Sequence, residues 1–87
     1  MYTTLKSAIP SVTTRQKEIV QLIAAGYSNE EVADRLGIAA RTAKAHTDNL
    51  RQKLGVPRRR QIPAAYLALT GEDPLRAGLE LIASGRV

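Results

Sequence analysis

The fold is decided by residues 28–56, whose sequence is SNEEVADRLGIAARTAKAHTDNLRQKLGV. This segment predicts two helices that are joined by a tight turn and cross at close range. Ala33 is small enough to allow the close crossing, and Gly37 can adopt the left-handed backbone conformation that ends a helix abruptly. Ile38 then fills the gap between the helices, and Ala43 falls on the inner face of the second one. The spacing favours a helix-turn-helix unit, with an ordinary helical hairpin as the alternative.

The second helix of this unit, residues 40–54, has one charged side and one apolar side. At about 100° per residue, four charged residues fall within about 80° of one another: Arg41, Lys44, Asp48 and Arg51. The opposite side holds Ala43, Thr47, Leu50 and Leu54. A charged helix face is often only solvated, and that alternative stands for each residue taken singly. The clustering of the whole set favours a helix that is presented to the major groove of DNA.

The positive charge of the chain is concentrated around this helix. The 87 residues include 13 Lys and Arg against 8 Asp and Glu, a net charge of +5. Residues 41–60 hold seven basic residues and one acidic residue, a net of +6, so the rest of the chain sums to −1. Such focused charge is typical of a phosphate-binding surface, with an anionic membrane or an acidic partner as alternatives. The absence of Trp and Phe argues against membrane insertion.

The sequence lacks the patterns that enzymes and metalloproteins require. It contains no cysteine and a single histidine, His46, so neither a disulfide framework nor a zinc site is expected. No nucleotide-binding or nucleophile-elbow motif occurs, and the two acidic pairs, Glu30-Glu31 and Glu72-Asp73, lie near predicted helix starts. No apolar run approaches the roughly 20 residues of a membrane span. We therefore expect no enzyme activity, no cofactor, no metal and no membrane partner, and a cytoplasmic, nucleoid-associated location.

The rest of the chain predicts three more helices and no strand. Residues 15–25 precede the helix-turn-helix unit, with Thr13 or Thr14 as the N-terminal cap, and residues 63–70 and 74–84 follow it. Glycines end these helices, and prolines stand near the first turns of the last two. The expected fold class is all-α, with an N-terminal arm over residues 1–12, a helix-turn-helix domain over residues 13–71 and a C-terminal helical extension over residues 72–87.

The motifs of this chain resemble those of the LuxR/FixJ/GerE-type helix-turn-helix family. The family pattern begins with Thr-x-Arg-Glu and a hydrophobic helix ending in Gly-x-Ser-Asn, and this chain has TTRQ and GYSN there. The pattern continues through a Glu-Ile-Ala segment, a Thr-Val-Lys-x-His segment and a Lys-Leu-Gly-Val close, where this chain has EVA, TAKAH and KLGV. The resemblance spans residues 12–70, and the motifs are specific when taken together.

This resemblance implies a four-helix DNA-binding domain of a bacterial transcription regulator. In the family, the third helix reads the major groove, the fourth commonly forms the dimer contact, and dimers bind two-fold-related half-sites. Lys44 and Ala45 match positions that face base edges, where Lys44 donates to guanine and Ala45 contacts a thymine methyl group. Together with the charged arc and the basic run, the resemblance gives the other predicted DNA contacts: Ser28, Asn29, Arg41, Thr42, Asp48, Arg51, Lys53, Arg58, Arg59 and Arg60.

Two further positions match the scaffold of the family. His46 and Asn49 correspond to residues that are buried or that bridge neighbouring elements. A titrating switch at His46 is the alternative interpretation.

Asp48 is the most consequential departure from the family pattern. Many members carry a base-reading basic residue at this position, whereas a carboxylate repels phosphate. Asp48 either pairs with Lys44 or Arg51 within the helix, which we favour, or accepts a hydrogen bond from cytosine N4.

Other departures concern the core and the fourth helix. Ala43 replaces the usual valine, so we expect Ile38 or Tyr66 to fill the space, and Gln16 replaces the usual glutamate. Pro63 and the three arginines before it leave the register of the fourth helix open by about one residue, which affects the usual dimer face.

The fourth and fifth helices are the expected dimer surface. Residues 72–87 extend past the usual end of the family, and Leu75, Leu79 and Ile82 form an apolar stripe there. The stripe either packs on the domain's own core, covering the first or fourth helix, or it extends or replaces the dimer contact. The predicted dimer residues are Ala65, Tyr66, Leu69, Leu75, Leu79 and Ile82.

The function predicted from these features is sequence-specific binding of double-stranded DNA by a homodimeric transcription regulator, with RNA polymerase or another regulator as a further partner. The chain resembles a stand-alone, GerE-like member, and a fragment of a longer protein is the alternative. A sigma-factor region-four-like module is one rival, against which the KLGV close, His46 and Asn49 argue. A helical protein-interaction module that has lost DNA reading is another, and Asp48 is its best support.

Overall fold

The computed structural model describes residues 11–85, and none of these residues lies in a β-strand. The predicted all-α fold class is confirmed, and the predicted helix ends agree to within one residue. Most of the predicted N-terminal arm lies outside the described residues. The described part contains α1 (Thr14–Ala24), α2 (Asn29–Leu36), α3 (Ala40–Leu54), the 3-10 helix Arg59–Gln61, α4 (Ile62–Thr70) and α5 (Pro74–Ala83). No helix in this part is both long enough and apolar enough to cross a bilayer.

The first two helices begin at reciprocal side-chain caps. Thr13 Oγ1 accepts from the Gln16 amide at 3.1 Å, and Gln16 Oε1 accepts from the Thr13 amide at 3.1 Å. Ser28 and Glu31 repeat this arrangement at the start of α2, with distances of 3.1 and 2.9 Å. Each pair satisfies two backbone donors that a helix start would otherwise leave without partners. Gln16 therefore serves the capping role of the glutamate that it replaces.

The turn between α2 and α3 has the predicted construction. Gly37 has φ 68° and ψ 34°, the left-handed conformation that ends α2. The Ile38 amide donates to the Ala33 carbonyl at 3.0 Å, which folds the chain back over the end of the helix. Ala33 and Ala43 are both buried, and Ile38 is partly buried against the core, so the two helices approach closely at small side chains.

The core is built around α1, which contacts each of the other α-helices. Its members are Ile19, Val20, Leu22, Ile23, Val32, Ala33, Ala43, Leu50, Ile62 and Tyr66. Tyr66 was expected on the dimer surface, and this prediction is wrong because its side chain is only 3% exposed. Ile62 and Tyr66 are four residues apart on α4, so both face inward. The Tyr66 hydroxyl donates to Glu72 Oε1 at 2.9 Å, and burial, together with this carboxylate, raises the pKa of Tyr66 to about 12.

The fifth helix packs against α1 through a glycine. Gly78 is buried, and a Cβ atom at this position would overlap the backbone carbonyl group of Gln21. Pro74 and Gly78 are the buried residues of α5, and Ile82 is partly buried against the core on the same side. Leu75 and Leu79 are instead 44% and 54% exposed. Helix α5 therefore covers the first helix, one of the two alternatives, but mainly through Pro74 and Gly78; of the predicted stripe only Ile82 packs inward.

Candidate nucleic-acid interface

The core anchors α3 so that its charged side faces solvent. Ala43 and Leu50 are fully buried and Thr47 is 3% exposed. On the opposite side, the exposed residues include Arg41, Thr42, Lys44 and Ala45. The predicted division of this helix into a packed side and a polar side is confirmed.

A polar network fixes α3 against the start of α2. The Thr47 hydroxyl donates to Asn29 Oδ1 at 3.0 Å, with the Ala43 carbonyl as a second acceptor at 3.0 Å. Arg59 Nε also donates to Asn29 Oδ1, at 2.9 Å, and Arg59 Nη2 donates to the Tyr27 carbonyl at 2.6 Å. Three elements therefore meet at one carboxamide oxygen. We call Asn29, Thr47 and Arg59 the clamp.

The clamp changes the interpretation of two predicted DNA contacts. Asn29 and Arg59 have internal partners, and burial of the guanidinium lowers the pKa of Arg59. Asn29 Oδ1 and the Nε and Nη2 atoms of Arg59 bond within the protein, so these atoms are not free for DNA as the sequence suggested. Thr47 was predicted only as part of the inner face of α3. Its hydroxyl group also donates a hydrogen bond to Asn29, which links α3 to α2.

The start of α2 is occupied by the protein's own groups. Ser28 Oγ accepts from the Glu31 amide, and the Glu31 carboxylate accepts from the Ser28 amide. The hydrogen bonds from the Ser28 amide and hydroxyl lower the pKa of Glu31, so the carboxylate is charged. The expected phosphate site at Ser28 and Asn29 does not fit this arrangement, because a carboxylate already lies there.

Lys53 lies apart from the charged arc of α3. Its Nζ donates to the Ser11 carbonyl at 2.7 Å and to Gln16 Oε1 at 2.9 Å, which ties the end of α3 to the start of α1. Lys53 follows Lys44 by nine residues, and nine residues at about 100° each place it half a turn away. The predicted DNA contact at Lys53 is therefore corrected to a bond between helices.

Asp48 pairs with two cations of the same helix, as we had favoured. Its Oδ2 accepts from Lys44 Nζ at 3.2 Å, and its Oδ1 accepts from Arg51 Nη2 at 2.7 Å. Arg51 Nη1 also donates to the Pro57 carbonyl at 3.2 Å. The hydrogen bonds from Arg51 and then Lys44 lower the pKa of Asp48, so this carboxylate is ionised near neutral pH.

The basic connector is ordered into a turn. Arg59–Gln61 form a 3-10 helix, and the Arg58 amide donates to Gln61 Oε1 at 3.0 Å. Arg58 and Arg60 are exposed, in contrast to Arg59. The three consecutive arginines therefore divide into two solvent-facing cations and one internal clamp residue, a division that a charge count cannot make.

The two predicted scaffold residues, His46 and Asn49, differ in their exposure to solvent. His46 is half-buried, in keeping with a scaffold position. Asn49 is exposed, so of its two expected scaffold roles, buried or bridging, the structure excludes the buried one. Asn49 precedes the buried Leu50, and a neighbouring residue on a helix turns through about 100° and so leaves the packed side.

Helices α4 and α5 leave an apolar surface open. Leu67, Leu69, Leu75 and Leu79 are between 42% and 54% exposed. A groove of about 390 Å³ runs between α4, α5 and the end of α1, and Leu67 and Leu75 line it. Ala65 and Ile82, which were predicted with this surface, are half-buried. Leu67 was not among the predicted dimer residues, and it is exposed because it lies about 100° around α4 from the buried Tyr66. Leu69 lies about 200° around α4 from Leu67 and faces another side of that helix. We call Leu67, Leu75 and Leu79 the leucine surface.

Comparison with known proteins agrees with this geometry. Residues 10–65 match the GerE family model, which is described as bacterial regulatory proteins of the luxR family. The transcriptional regulatory protein MctR of Rhizobium johnstonii is 49% identical over 45 residues, which are 52% of this chain and 21% of MctR. The chain thus matches about a fifth of the length of that relative. No solved structure gave a significant match. With α2 and α3 as its helix-turn-helix, the chain belongs to the luxR family of bacterial regulatory proteins.

Proposed function

We propose that this protein regulates transcription by binding double-stranded DNA with α3 in the major groove. The observation that carries the proposal is the solvent-facing side of α3 in a chain of the luxR family. On that side, Lys44 and Ala45 are proposed to contact base edges, and Arg41 and Thr42 to hold phosphate. Arg58 supplies a further cation beside the major groove, whereas Arg60 lines the protein groove between α4 and α5.

The start of α3 also suits phosphate. Ala39 provides no side-chain cap, in contrast to Thr13 at α1 and Ser28 at α2. The first amide groups of α3 therefore have no side-chain acceptor within the described residues. Free amides and the positive end of the helix dipole favour a phosphate oxygen at this place. In our proposal, the start of α3 therefore replaces the start of α2 as the phosphate site.

Salt dependence tests the proposed function directly. A regulator that neutralises about 6 phosphates loses affinity with a slope of log K against log salt near −5. We expect this slope in fluorescence anisotropy titrations of a duplex between about 50 and 200 mM salt. A protein-interaction module that has lost DNA reading would show no salt-sensitive duplex binding, and that result would replace our proposal with the module.

We further propose that the protein binds DNA as a homodimer through the leucine surface. Leu67 of α4 and Leu75 of α5 are exposed and line one groove, and exposed apolar side chains that lie together are typical of protein contacts. Arg60 and Asp73 line the same groove and form no ion pair within residues 11–85. In a two-fold dimer, each copy can offer its arginine to the aspartate of the other.

Replacing Leu75 with glutamate is expected to convert the dimer to a monomer. The new carboxylate would lose water in the apolar contact and would compete with Asp73 for Arg60, and both effects oppose association. Sedimentation over a concentration series measures the change, and Thr14→Glu, an exposed substitution on α1, is the matched control. Dimerisation that survives Leu75→Glu, or a wild-type protein that is monomeric throughout, would contradict this assignment.

The remaining parts of the proposal follow from DNA as the ligand. The protein is proposed to act in the cytoplasm at the nucleoid, where bacterial DNA is found. RNA polymerase or another regulator is the proposed further partner, since the family is one of regulators and not a class of enzymes. A chromatin-affinity experiment that maps bound sites would test the location, and two-fold symmetry in those sites would support the dimer. Copurification of RNA polymerase with the protein would test the further partner.

A further inference from the structure

A carboxylate lies at the centre of the charged side of α3. Asp48 follows Lys44 by four residues and precedes Arg51 by three, and each carboxylate oxygen accepts from a different cation. The three side chains therefore carry one net positive charge where Lys44 and Arg51 alone would carry two. Because attraction to phosphate depends on charge and not on sequence, Asp48 weakens binding to DNA of every sequence.

The two ion pairs differ in how firmly they are held. Arg51 is fixed between Asp48 and the Pro57 carbonyl, and its side chain is 33% exposed. Lys44 has a side chain that is 69% exposed, and its ammonium group has no partner besides Asp48 within residues 11–85. Exposed pairs of this kind contribute little to stability. Lys44 can therefore turn from Asp48 to DNA at small cost, while Arg51 keeps the carboxylate in position.

The chemistry of the carboxylate restricts the base that it can face. When Lys44 turns to DNA, Asp48 Oδ2 loses its partner, and an ionised carboxylate can only accept hydrogen bonds. Guanine presents two acceptors in the major groove, and thymine presents an acceptor and a methyl group. Adenine has an amino group next to the acceptor N7, whereas cytosine presents its N4 amino group alone. Cytosine is therefore the base that suits Asp48 best.

We propose that Asp48 is a specificity-determining residue, which repels DNA of arbitrary sequence and is accommodated where cytosine donates its N4 amino group beside a guanine held by Lys44. This inference rests on the proposed function, because it requires α3 to enter the major groove. It also gives the intrahelical pairs a role in the free protein, since they balance the carboxylate until a matching base replaces Lys44.

The test compares three proteins. Asp48→Asn keeps the shape of the side chain and removes its charge. Glu80→Gln, at an exposed position on α5, removes the same charge away from α3 and is the matched control. Each protein first selects duplexes from a random library, and the bound sequences are counted. Each is then titrated with a single random-sequence duplex over a series of salt concentrations, after circular dichroism has shown equal helix content.

The expected results distinguish a specific role of Asp48 from the general effect of removing one negative charge. The wild-type protein selects a motif with cytosine beside guanine, and Glu80→Gln selects the same motif. Asp48→Asn keeps the rest of the motif but shifts the preference at that position from cytosine toward adenine, because a carboxamide both donates and accepts. It also binds the random duplex more tightly than the control, with a salt slope steeper by about 0.9 because the freed Lys44 gains a phosphate.

Two outcomes would overturn the inference in different ways. If Asp48→Asn selects the wild-type motif with an equal cytosine preference, or binds random DNA no more tightly than Glu80→Gln, Asp48 does not determine specificity and the proposed function stands. If the wild-type protein selects no motif and shows no salt-dependent binding, the proposed function fails and the role of Asp48 fails with it.

Discussion

Replacing Gly78 with alanine is expected to destabilise the protein by about 1–3 kcal/mol, the usual cost of inserting a methyl group into a packed contact. The added Cβ would overlap the Gln21 carbonyl group, and backbone atoms cannot move aside as a flexible side chain can. Helix α5 must therefore shift away from α1, which loosens the contacts of Pro74 and Ile82. Thermal and urea unfolding, monitored by circular dichroism, measure the change.

The expected loss of stability is opposite in sign to the usual effect of replacing a helical glycine with alanine. In an open helix interior, alanine is more favourable than glycine by about 1 kcal/mol, so the same substitution would normally stabilise the protein. Arg76→Ala, at an exposed position on the same helix and outside the leucine surface, is the control and should change stability by less than about 0.5 kcal/mol. A stabilised Gly78→Ala variant would show that α5 does not pack against α1 as described.

Replacing Lys44 with alanine is expected to weaken binding to the selected operator by about 1–3 kcal/mol and to relax its sequence preference. Lys44 is the most exposed of the three ion-paired side chains on α3, which are Lys44, Asp48 and Arg51. Its proposed contact is with a guanine edge. Asp48 keeps its pair with Arg51 in this variant, so α3 retains its local structure. Competition between operator and random duplex gives the discrimination before and after the change.

Comparison of Lys44→Ala with Arg58→Ala distinguishes a contact to a base from a contact to phosphate. Arg58 is exposed beside the 3-10 helix and is proposed to contact phosphate only. Its loss should weaken all duplexes alike and reduce the salt slope by about 1. Equal discrimination by Lys44→Ala and the wild-type protein would remove Lys44 from the base-reading set. A loss by Arg58→Ala that is confined to one operator would overturn the phosphate assignment.

The parts of the fold that depend on neighbouring residues could be predicted from the sequence. Thr13 and Ser28 cap helices through bonds to residues three positions later. Gly37 and Gly55 end helices because each adopts a positive φ. The division of α3 into two sides follows from its period alone. Lys53 belongs to this class too, since the same projection places it away from Lys44, and the sequence contained the signal that separates them.

The parts that depend on distant segments could not be predicted in this way. The role of Arg59 is set by the Tyr27 carbonyl and the Asn29 carboxamide, which the 3-10 helix brings within reach. Nothing in a run of three arginines distinguishes its middle member. The role of Gly78 could not be predicted either. A glycine inside a helix can be interpreted only when the backbone that it approaches is known.

The clamp has a consequence for how specificity can arise. Because α3 is tied to α2 and to the 3-10 helix through one carboxamide oxygen, we expect these three elements to meet the proposed duplex as one rigid unit. Adjustment at the interface then falls on the nucleic acid, whose bending and twisting energies depend on its base steps. Operators would accordingly be distinguished in part by deformability at base pairs that no side chain touches. A preorganised reader of this kind also loses little conformational entropy on docking, which favours fast sampling of sites along a chromosome.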